Sequence, residues 1–292
     1  MPLPFQLGYL ALTSNRFEET RSYYVDALGL ADCGVGAQGE AYLSVGANAF
    51  DIVLESAQKT GIASAAYQLR KDVELADFVR RVEQAGLACA AKSDARPSVS
   101  KLVEVRLPDK SVMEFFVDRS SNPPGFRAAG VAPLRLGHYA VVSDKVEAVI
   151  AFHRDVLGFY VTDQIGEMEH FLTCNEDHHV SNIVRGPLSG LHHIAFQLRG
   201  AEHQSIAADV LASKRIKTLW GPSRHTAGHN VASYHRSPDG VLIELYNDMD
   251  VYVPELNMMS PRPWHEEYPM RPKVWGDGDF SSWSTDFTFK FE

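Results

Sequence analysis

The sequence predicts an α+β fold built from four β-α-β-β-β modules in tandem, two in each half of the chain. Three observations support it. The two halves repeat each other, each half carries two amphipathic helical segments, and short β-prone runs with turn signals fill the remainder. A chain of 292 residues, 45% of them hydrophobic, is long enough for two domains of roughly 100–200 residues each.

The internal repeat consists of four pairs of matching segments at nearly the same offset. Matches at one offset are unlikely by chance, so they indicate duplication of a unit of about 120 residues. The offset is 129 residues in the first three pairs and 130 in the last: 7–9 with 136–138, 17–30 with 146–159, 61–69 with 190–198, and 107–116 with 237–246.

Each half is expected to contain two helices. The first follows a Ser-Asn or Ser-Asp pair that suits an N-cap and ends at a Leu-Gly pair that suits a C′ glycine. These pairs stand at 14–15 and 28–29 in the first half, and at 143–144 and 157–158 in the second. The second helices are expected at about Val73–Ala85 and His203–Ser213.

A Pro-, Gly- and Ser-rich linker, Ser120–Ala132, separates the halves. The sequence after about Tyr252 has many Pro and Trp residues and little periodicity, so we expect it to wrap the surface or reach a neighbouring subunit. The predicted division is therefore a first domain at 1–122, a second at 133–255 and a tail at 256–292.

Composition excludes several classes of partner. A net charge of −9 disfavours binding to nucleic acid or to an anionic membrane. No apolar run reaches the ~18 residues of a membrane span, and the first residues lack the basic and apolar regions of a signal peptide. Three widely spaced cysteines are expected to be reduced, buried thiols in a cytoplasmic protein: Cys33, Cys89 and Cys174.

The stretch Trp220–Tyr246 predicts a loop carrying His225, a strand carrying Tyr234, a tight turn at 238–240 and a strand carrying Glu244. On the last strand Leu242 and Glu244 share one face. A carboxylate in so apolar a strand either points to solvent or requires a cation to offset its desolvation.

The duplication provides an internal control for the candidate site. At three equivalent positions one half carries two histidines and a glutamate, while the other keeps only the glutamate in the same apolar pattern. Histidines needed only for packing would have no reason to appear together in one half. The positions read His138, His193 and Glu244 in the second half, and Tyr9, Ser64 and Glu114 in the first.

Two histidines and one carboxylate from three strands match the facial triad that binds Fe(II) and leaves coordination positions open on one side. Mn(II), zinc or nickel could take the same ligands, because affinity alone does not select the metal. The second half is therefore predicted to be the metal-binding half. Glu114 in the first half is interpreted as a remnant of that site.

The second half resembles the catalytic half of the type I extradiol catechol dioxygenases, in the vicinal oxygen chelate superfamily. The motifs that carry the resemblance are Gly-His-Tyr at Gly137–Tyr139, Leu-His-His-Ile-Ala-Phe at Leu191–Phe196, and the stretch Gly221–Glu244. Two positions depart from the family pattern, Ser233 before Tyr234 and Ser237 before the Pro-Asp-Gly turn. The departures affect substrate identity more than reaction class.

The resemblance implies roles for particular residues. The family's metal ligands correspond to His138, His193 and Glu244, and two further active-site residues correspond to His225 and Tyr234. Another catalytic histidine of the family precedes the second ligand by 14 or 15 residues, where this chain has His178 and His179. His179, 14 residues before His193, is favoured because its spacing to the apolar Ile183 is closer to that of the family. If the pair lies on a strand, only one of the two enters the pocket.

The remaining histidines and the tail aromatics are interpreted as structural. His192 is expected on the strand face opposite His193. Packing or surface roles are expected for His153, His192, His229, His235, Trp264, His265 and Trp275.

The resemblance implies an Fe(II)-dependent dioxygenase that adds O2 to a catechol beside the vicinal diol and yields a ring-opened semialdehyde in aromatic-compound degradation. The family also implies a homo-oligomer. Two alternatives remain. One is a metal-dependent isomerase or epimerase on the same scaffold, since a fold does not determine a reaction. The other is a binding protein without catalysis.

Overall fold

The computed structural model describes residues 1–120 and 122–287. Two large sheets and four α-helices make up these residues. The helices are α1 Phe17–Asp26, α2 Leu75–Gln84, α3 Val146–Ala151 and α4 Ala201–Ser213. A π-helical turn, Phe152–Val156, continues α3, and a 3-10 turn lies at Pro254–Leu256.

The first sheet contains eight strands in the order β2-β3-β4-β1-β5-β8-β7-β6. They are β1 Pro4–Ser14, β2 Ala31–Val35, β3 Ala41–Ser44, β4 Ile52–Ser56, β5 Gly61–Leu69, β6 Cys89–Arg96, β7 Val99–Arg106 and β8 Val112–Phe116.

The second sheet repeats this arrangement and adds a ninth strand, in the order β14-β15-β16-β13-β9-β12-β11-β10-β19. Its strands are β9 Arg135–Ser143, β10 Tyr160–Ile165, β11 Glu169–Thr173, β12 Ser181–Arg185, β13 Gly190–Gln197, β14 Trp220–Arg224, β15 Val231–Arg236, β16 Leu242–Asn247 and β19 Lys273–Trp275. A separate small ribbon pairs β17 Tyr252–Val253 with β18 Met258–Met259.

The predicted fold class is confirmed. Each sheet combines two β-α-β-β-β modules joined through their first strands, β1 with β5 and β9 with β13. Within each module the first strand pairs in parallel with the fourth, as β1 does with β4 and β13 with β16. The proposed boundaries at residues 122 and 133 remain a prediction.

Helix ends follow the expected chemistry only in part. The residues after the first helices, Gly29 and Gly158, have φ of +82° and +79°, as a C′ glycine requires. The expected N-caps are displaced. The hydroxyl of Ser14 accepts the N–H of Arg16, and Arg16 itself is the residue at the cap position, without a side-chain cap.

The second helices also differ slightly from expectation. Helix α2 begins at Leu75 rather than Val73, because the N–H of Val73 closes a turn onto the carbonyl of Arg70. Helix α4 begins at Ala201, two residues before His203.

The main core extends across both halves, and the hydroxyl of Tyr67 lies 3.4 Å from that of Tyr139. The cysteines are free, but only Cys174 is buried. Cys89 is half-buried and Cys33 is exposed, so the expectation of three buried thiols is wrong for these two. In the part of the chain that is described, no helix is long and apolar enough to cross a membrane.

The tail adds a strand to the second sheet and buries several of its side chains. Strand β19 joins the edge of the second sheet by pairing in parallel with β10. Met259, Met270 and Trp275 are buried in a small cluster with Ile165 and Phe171. Residues 288–292, the end of the predicted tail, lie outside the described residues.

Candidate metal centre and active site

The three predicted ligands come from adjacent strands at the centre of the second sheet. His138 lies on β9, His193 on β13 and Glu244 on β16. Ala195 on β13 is the cross-strand partner of both His138 and Glu244. Its methyl side chain leaves room between the two larger groups, so they can converge on one point.

The ligand atoms meet at one carboxylate oxygen. His138 Nε2 lies 3.1 Å and His193 Nε2 lies 3.2 Å from Glu244 Oε2. All three residues are at least 94% buried. His193 Nε2 nevertheless lacks a hydrogen bond of acceptable geometry among the described residues. A buried nitrogen lone pair without a donor, beside a shared carboxylate oxygen, fits coordination of a cation.

Close packing fixes the orientation of His138. Its ring centroid lies 4.9 Å from that of Tyr246. A Cβ at Gly137 would lie 1.9 Å from the Tyr246 hydroxyl, so only glycine allows the tyrosine to pass here. The Gly-His-Tyr motif therefore has a steric reason at its glycine, independent of catalysis.

Electrostatics favour an ionised Glu244. Burial by itself would raise its pKa, but the charges and hydrogen bonds of His138 and His193 outweigh burial and hold the pKa well below the usual range. Burial lowers the pKa of His193. A neutral imidazole and an ionised carboxylate are the forms that bind a metal.

Tyr234 and His225 complete one side of the site. Tyr234 on β15 is directly opposite Glu244, and its hydroxyl donates to Glu244 Oε2 over 2.8 Å. His225 lies in the loop after β14, with Nε2 3.0 Å from the Tyr234 hydroxyl and Nδ1 2.9 Å from the carbonyl of Phe280. Burial lowers the pKa of His225, whereas burial and the nearby Glu244 raise that of Tyr234 well above its usual value.

His179, rather than His178, lines the cavity that contains the ligands. The ring centroid of His179 lies 4.2 Å from that of His138. His178 lies behind it, with Nδ1 2.9 Å from His179 Nδ1 and Nε2 3.1 Å from Asp163 Oδ2. Trp275 Nε1 donates to the same Asp163 oxygen over 2.8 Å.

The reasoning from strand alternation does not apply to this histidine pair. His178 and His179 lie in the irregular connection between β11 and β12, and their rings meet at 5.2 Å and 89° instead of pointing to opposite faces. The expected placement of the pair on a strand is wrong, although one histidine still faces the cavity and the other does not.

His192 is a second departure from alternation. The pairing of β13 with β9 shifts register between Leu191 and His193, so a β-bulge interrupts the strand there. As a result His192 Nδ1 lies 2.7 Å from His193 Nδ1, and His192 also lines the cavity. The expectation that it faces the opposite side is wrong.

Four other histidines lie away from the ligand cluster. His153 is buried, with Nδ1 2.8 Å from the Val149 carbonyl, and burial lowers its pKa to about 4. His235 is hydrogen-bonded to the Tyr23 hydroxyl. His229 and His265 flank the two oxygens of Asp250, at 2.8 and 2.9 Å, and attach the tail to the loop before β15.

The cavity beside the ligands has about 410 Å³ of empty space, part of which is open to solvent. One part of its wall is apolar and includes two residues of the tail. The apolar residues of this wall are Ile165, Phe171 and Ala227 together with Phe280 and Phe287 of the tail. Two tail contacts close this wall: Thr226 Oγ1 donates to Asp279 over 2.8 Å, and Ser223 Oγ lies 3.0 Å from Ser281 Oγ.

Eight residues that line the cavity were not found by sequence reasoning: Ile165, Glu169, Phe171, Asn182, Ala227, Asn230, Phe280 and Phe287. Asn230 Nδ2 donates to Glu244 Oε1 over 2.8 Å. The equivalence of Glu169 with Glu40, again at an offset of 129 residues, could have drawn attention to this carboxyl group. The position of Phe280 depends on the path of the tail and has no such signal.

Residues 135–245 match the family described as the Glyoxalase/Bleomycin resistance protein/Dioxygenase superfamily. This range contains all three predicted ligands together with His179, His225 and Tyr234.

Over its length the chain is similar to the biphenyl-2,3-diol 1,2-dioxygenase of Paraburkholderia xenovorans (strain LB400). The two are 28% identical over 259 residues, which is 82% of this chain and 86% of that protein. The fold is similar to that of the 2,3-dioxygenase LapB from Pseudomonas sp. KL28, at 21% identity and a TM-score of 0.82, covering 94% of this chain and 98% of that one.

A second similar structure is the Mn(II)-bound glyoxalase from Novosphingobium aromaticivorans. It has 24% identity and a TM-score of 0.83, covering 97% of this chain and 92% of that one. The sequence match over residues 135–245, the module order and the convergent His-His-Glu cluster agree in their similarity to the Glyoxalase/Bleomycin resistance protein/Dioxygenase superfamily.

Proposed function

We propose that the chain is an extradiol dioxygenase that cleaves a catechol ring beside its vicinal diol, adds both atoms of O2 and releases a ring-opened semialdehyde. One observation carries the proposal. The His138, His193 and Glu244 cluster shares a single cavity with His179, His225 and Tyr234. The relative from P. xenovorans is named for this type of reaction, on biphenyl-2,3-diol.

We propose Fe(II) as the metal, with Mn(II) as the alternative, held by His138, His193 and Glu244. The unpartnered His193 Nε2 and the shared Glu244 Oε2 fit either ion. Bound there, the metal would supply positive charge and open positions for two catechol oxygens and for O2.

His179 is suited to accept a proton from the catechol. Burial, and then the neighbouring His138, lower its pKa well below the ordinary value, so it is neutral at neutral pH and can act as a base. His178 contacts His179 from behind and does not line the cavity. We therefore assign His178 a positioning role.

Tyr234 and His225 act as hydrogen-bonding groups. The raised pKa of Tyr234, from burial and from Glu244, keeps its phenol protonated, so it donates to a substrate oxygen. His225 is held by the Phe280 carbonyl at Nδ1, and its Nε2 faces Tyr234 and the cavity. Between them the two residues would orient the oxygen-bearing edge of the ring.

The direct test is reconstitution of the protein with Fe(II) or Mn(II) without oxygen, followed by assay against a panel of catechols. We expect O2 consumption equal to catechol lost and the absorbance of a ring-opened product. A protein that binds metal and catechol but consumes no O2 with either ion would contradict the proposal. That result would favour a binding protein.

An isomerase or epimerase would act without O2, so anaerobic turnover would distinguish it. Such an enzyme is expected to draw ligands from the first half as well. There Glu114 is already hydrogen-bonded by Tyr9 and paired with Arg96.

We also propose that the chain assembles as a homo-oligomer. Large apolar side chains of the tail are exposed, including Tyr268 at 61%, Val274 at 63% and Trp283 at 55%. Burial of such residues between subunits would stabilise a symmetric assembly. Light scattering at micromolar concentration should report a multiple of the 32.4 kDa chain mass. A 32.4 kDa species would contradict the proposal.

A further inference from the structure

The cavity contains a second carboxyl group that the proposed mechanism does not use. Glu169 on β11 is 5% exposed and lines the same cavity as the three ligands. Its neighbour Phe171, two residues along the strand, lines the cavity too, as expected for residues on one face of a strand. Asn182 on β12 pairs with Phe171 and adds a second polar side chain to this wall.

The Glu169–Asn182 pair is poorly satisfied within the protein. Asn182 Nδ2 donates to Glu169 Oε2 over a long 3.3 Å, and Asn182 Oδ1 has no partner among the described residues. Burial raises the pKa of Glu169 to about 7, and the nearby Glu244 raises it as well. A buried carboxyl group with a single long hydrogen bond destabilises a fold. Its presence calls for a ligand that satisfies it.

The first half shows the same position in a satisfied form. Glu40, equivalent to Glu169, accepts the hydroxyl of Tyr42 over 2.8 Å and is half-exposed. Burial would raise the pKa of Glu40, but that hydrogen bond, backbone hydrogen bonds and the charge of Arg96 lower it. The second half has Phe171 in place of Tyr42, so Glu169 loses the tyrosine donor and keeps only the longer hydrogen bond from Asn182.

At the neighbouring position, on the next strand of the sheet, the second half is more polar than the first. Val53 on β4 pairs with Tyr42 just as Asn182 on β12 pairs with Phe171, so Asn182 replaces an apolar residue. The second half has therefore lost the tyrosine hydroxyl and gained, at an adjoining position, an amide whose oxygen has no partner among the described residues. As a result, the Glu169 carboxyl group and the Asn182 amide oxygen can accept hydrogen bonds from a ligand in the cavity.

We propose that Glu169 and Asn182 form a specificity site for a hydrogen-bond-donating substituent, a hydroxyl or an amino group, on the ring of the catechol. The inference rests on the proposed function and names the substrate class within it. The Glu169 carboxyl group accepts the O–H or N–H of the substituent. Asn182 holds the carboxyl group from its other side and offers Oδ1 as a second acceptor.

The same chemistry excludes other catechols. A carboxylate substituent would place two negative charges together in a buried site, which disfavours binding. A methyl substituent would leave Glu169 unsatisfied, because it cannot donate a hydrogen bond. The remaining wall, around Phe171, Ile165 and Phe280, is apolar, which suits contact with an aromatic ring.

The test compares methyl-, hydroxymethyl- and aminomethyl-substituted catechols, at ring positions 3 and 4, with the metal-reconstituted protein. Both kcat/KM in air and Kd by anaerobic calorimetry are measured. Wild type is expected to prefer the donor-bearing compound over its methyl counterpart by about tenfold to hundredfold, as for a hydrogen bond to a charged group. Glu169→Leu should abolish this preference, measured as the ratio of the two compounds within the same variant, in Kd as well as in kcat/KM.

Glu169→Gln separates the two kinds of donor. A neutral amide oxygen still accepts a hydroxyl, so the hydroxymethyl preference should persist while the aminomethyl preference falls. Glu40→Gln, at the equivalent position of the first half, is the matched control and should leave every ratio unchanged.

The outcomes separate this inference from the proposed function. Equal donor-to-methyl ratios in wild type and Glu169→Leu, in both kcat/KM and Kd, would overturn the inference alone. A wild-type protein that binds catechols but cleaves none would overturn the proposed dioxygenase activity, while the Kd ratios would still decide the role of Glu169. A wild-type protein that neither binds nor cleaves any of the compounds would overturn both.

Discussion

The two halves of the chain share a sheet order and a strand register, yet a buried glutamate at the equivalent position has different partners in each half. In the first half Glu114 is hydrogen-bonded by the Tyr9 phenol and lies 3.4 Å from the guanidinium of Arg96. In the second half Glu244 faces two imidazoles at 3.1 and 3.2 Å. Both carboxylates occupy the same register position, opposite an alanine of the neighbouring strand.

The difference shows what a metal site requires beyond a carboxylate. Arginine supplies a permanent positive charge and has no lone pair, so the first half neutralises Glu114 without an ion. Imidazoles supply lone pairs but no charge when neutral, so the second half needs a cation to complete it. One duplicated scaffold therefore provides an internally neutralised centre and a metal-ligating centre.

The largest expected effect comes from giving the second half the residues of the first. His193→Ser, which introduces the residue type found at the equivalent Ser64, removes one of three ligands and should abolish bound metal and ring cleavage while the fold is kept. Metal analysis and circular dichroism measure both. Ser64→Ala is the matched control and should bind metal as wild type does. Full metal occupancy in His193→Ser would refute the ligand assignment.

Next in size is the effect of the Tyr234 hydroxyl. Tyr234→Phe should retain metal and catechol but lower turnover by about 10²–10⁴-fold, the usual contribution of a positioned proton donor. Tyr9→Phe, in the first half, should leave kcat unchanged. Steady-state kinetics with metal content measured alongside decide the point. Normal turnover in Tyr234→Phe would show that the tyrosine only packs.

A stability effect should distinguish Glu169 from Glu40. The folded-state pKa of Glu169, about 7, lies above the ordinary value of 4.5, so its ionisation opposes folding. Relative to Glu169→Gln, the metal-free wild type should lose stability as pH rises from 4.5 to 7, by about 2–4 kcal/mol in all.

Urea unfolding at pH 5 and pH 8 measures this loss. Glu40→Gln is the control. The pKa of Glu40 is lowered, so its carboxylate adds stability that is lost only as pH falls below the ordinary range, and no loss is expected between pH 5 and pH 8. Equal pH dependence in wild type and Glu169→Gln would contradict the elevated pKa.

The smallest effect concerns Arg96, whose side chain is 15% exposed. Arg96→Met should destabilise the protein by about 1–3 kcal/mol, because Glu114 would remain buried without its cation. Metal content and kcat should not change, since this centre lies in the first half. Arg96→Lys, which keeps the charge, should recover part of the stability. A simultaneous loss of metal would show that the two centres are not independent.

Several parts of the protein followed from the sequence alone. The duplication revealed four modules, and the contrast between halves singled out His138, His193 and Glu244. The hairpin carrying Tyr234 and Glu244 was predictable because alternation and turn chemistry are local properties. Local patterns report which face a regular strand presents, and β15 pairs with β16 without a register shift.

Only the tertiary structure decided the remaining features. A bulge turns His192 toward the cavity, and an irregular connection brings His178 and His179 into contact, because alternation holds only where the backbone stays extended. The tail closes the cavity with Phe280, whose carbonyl meets His225 55 residues earlier in the chain. Such contacts depend on the path of the whole chain, which no local periodicity encodes.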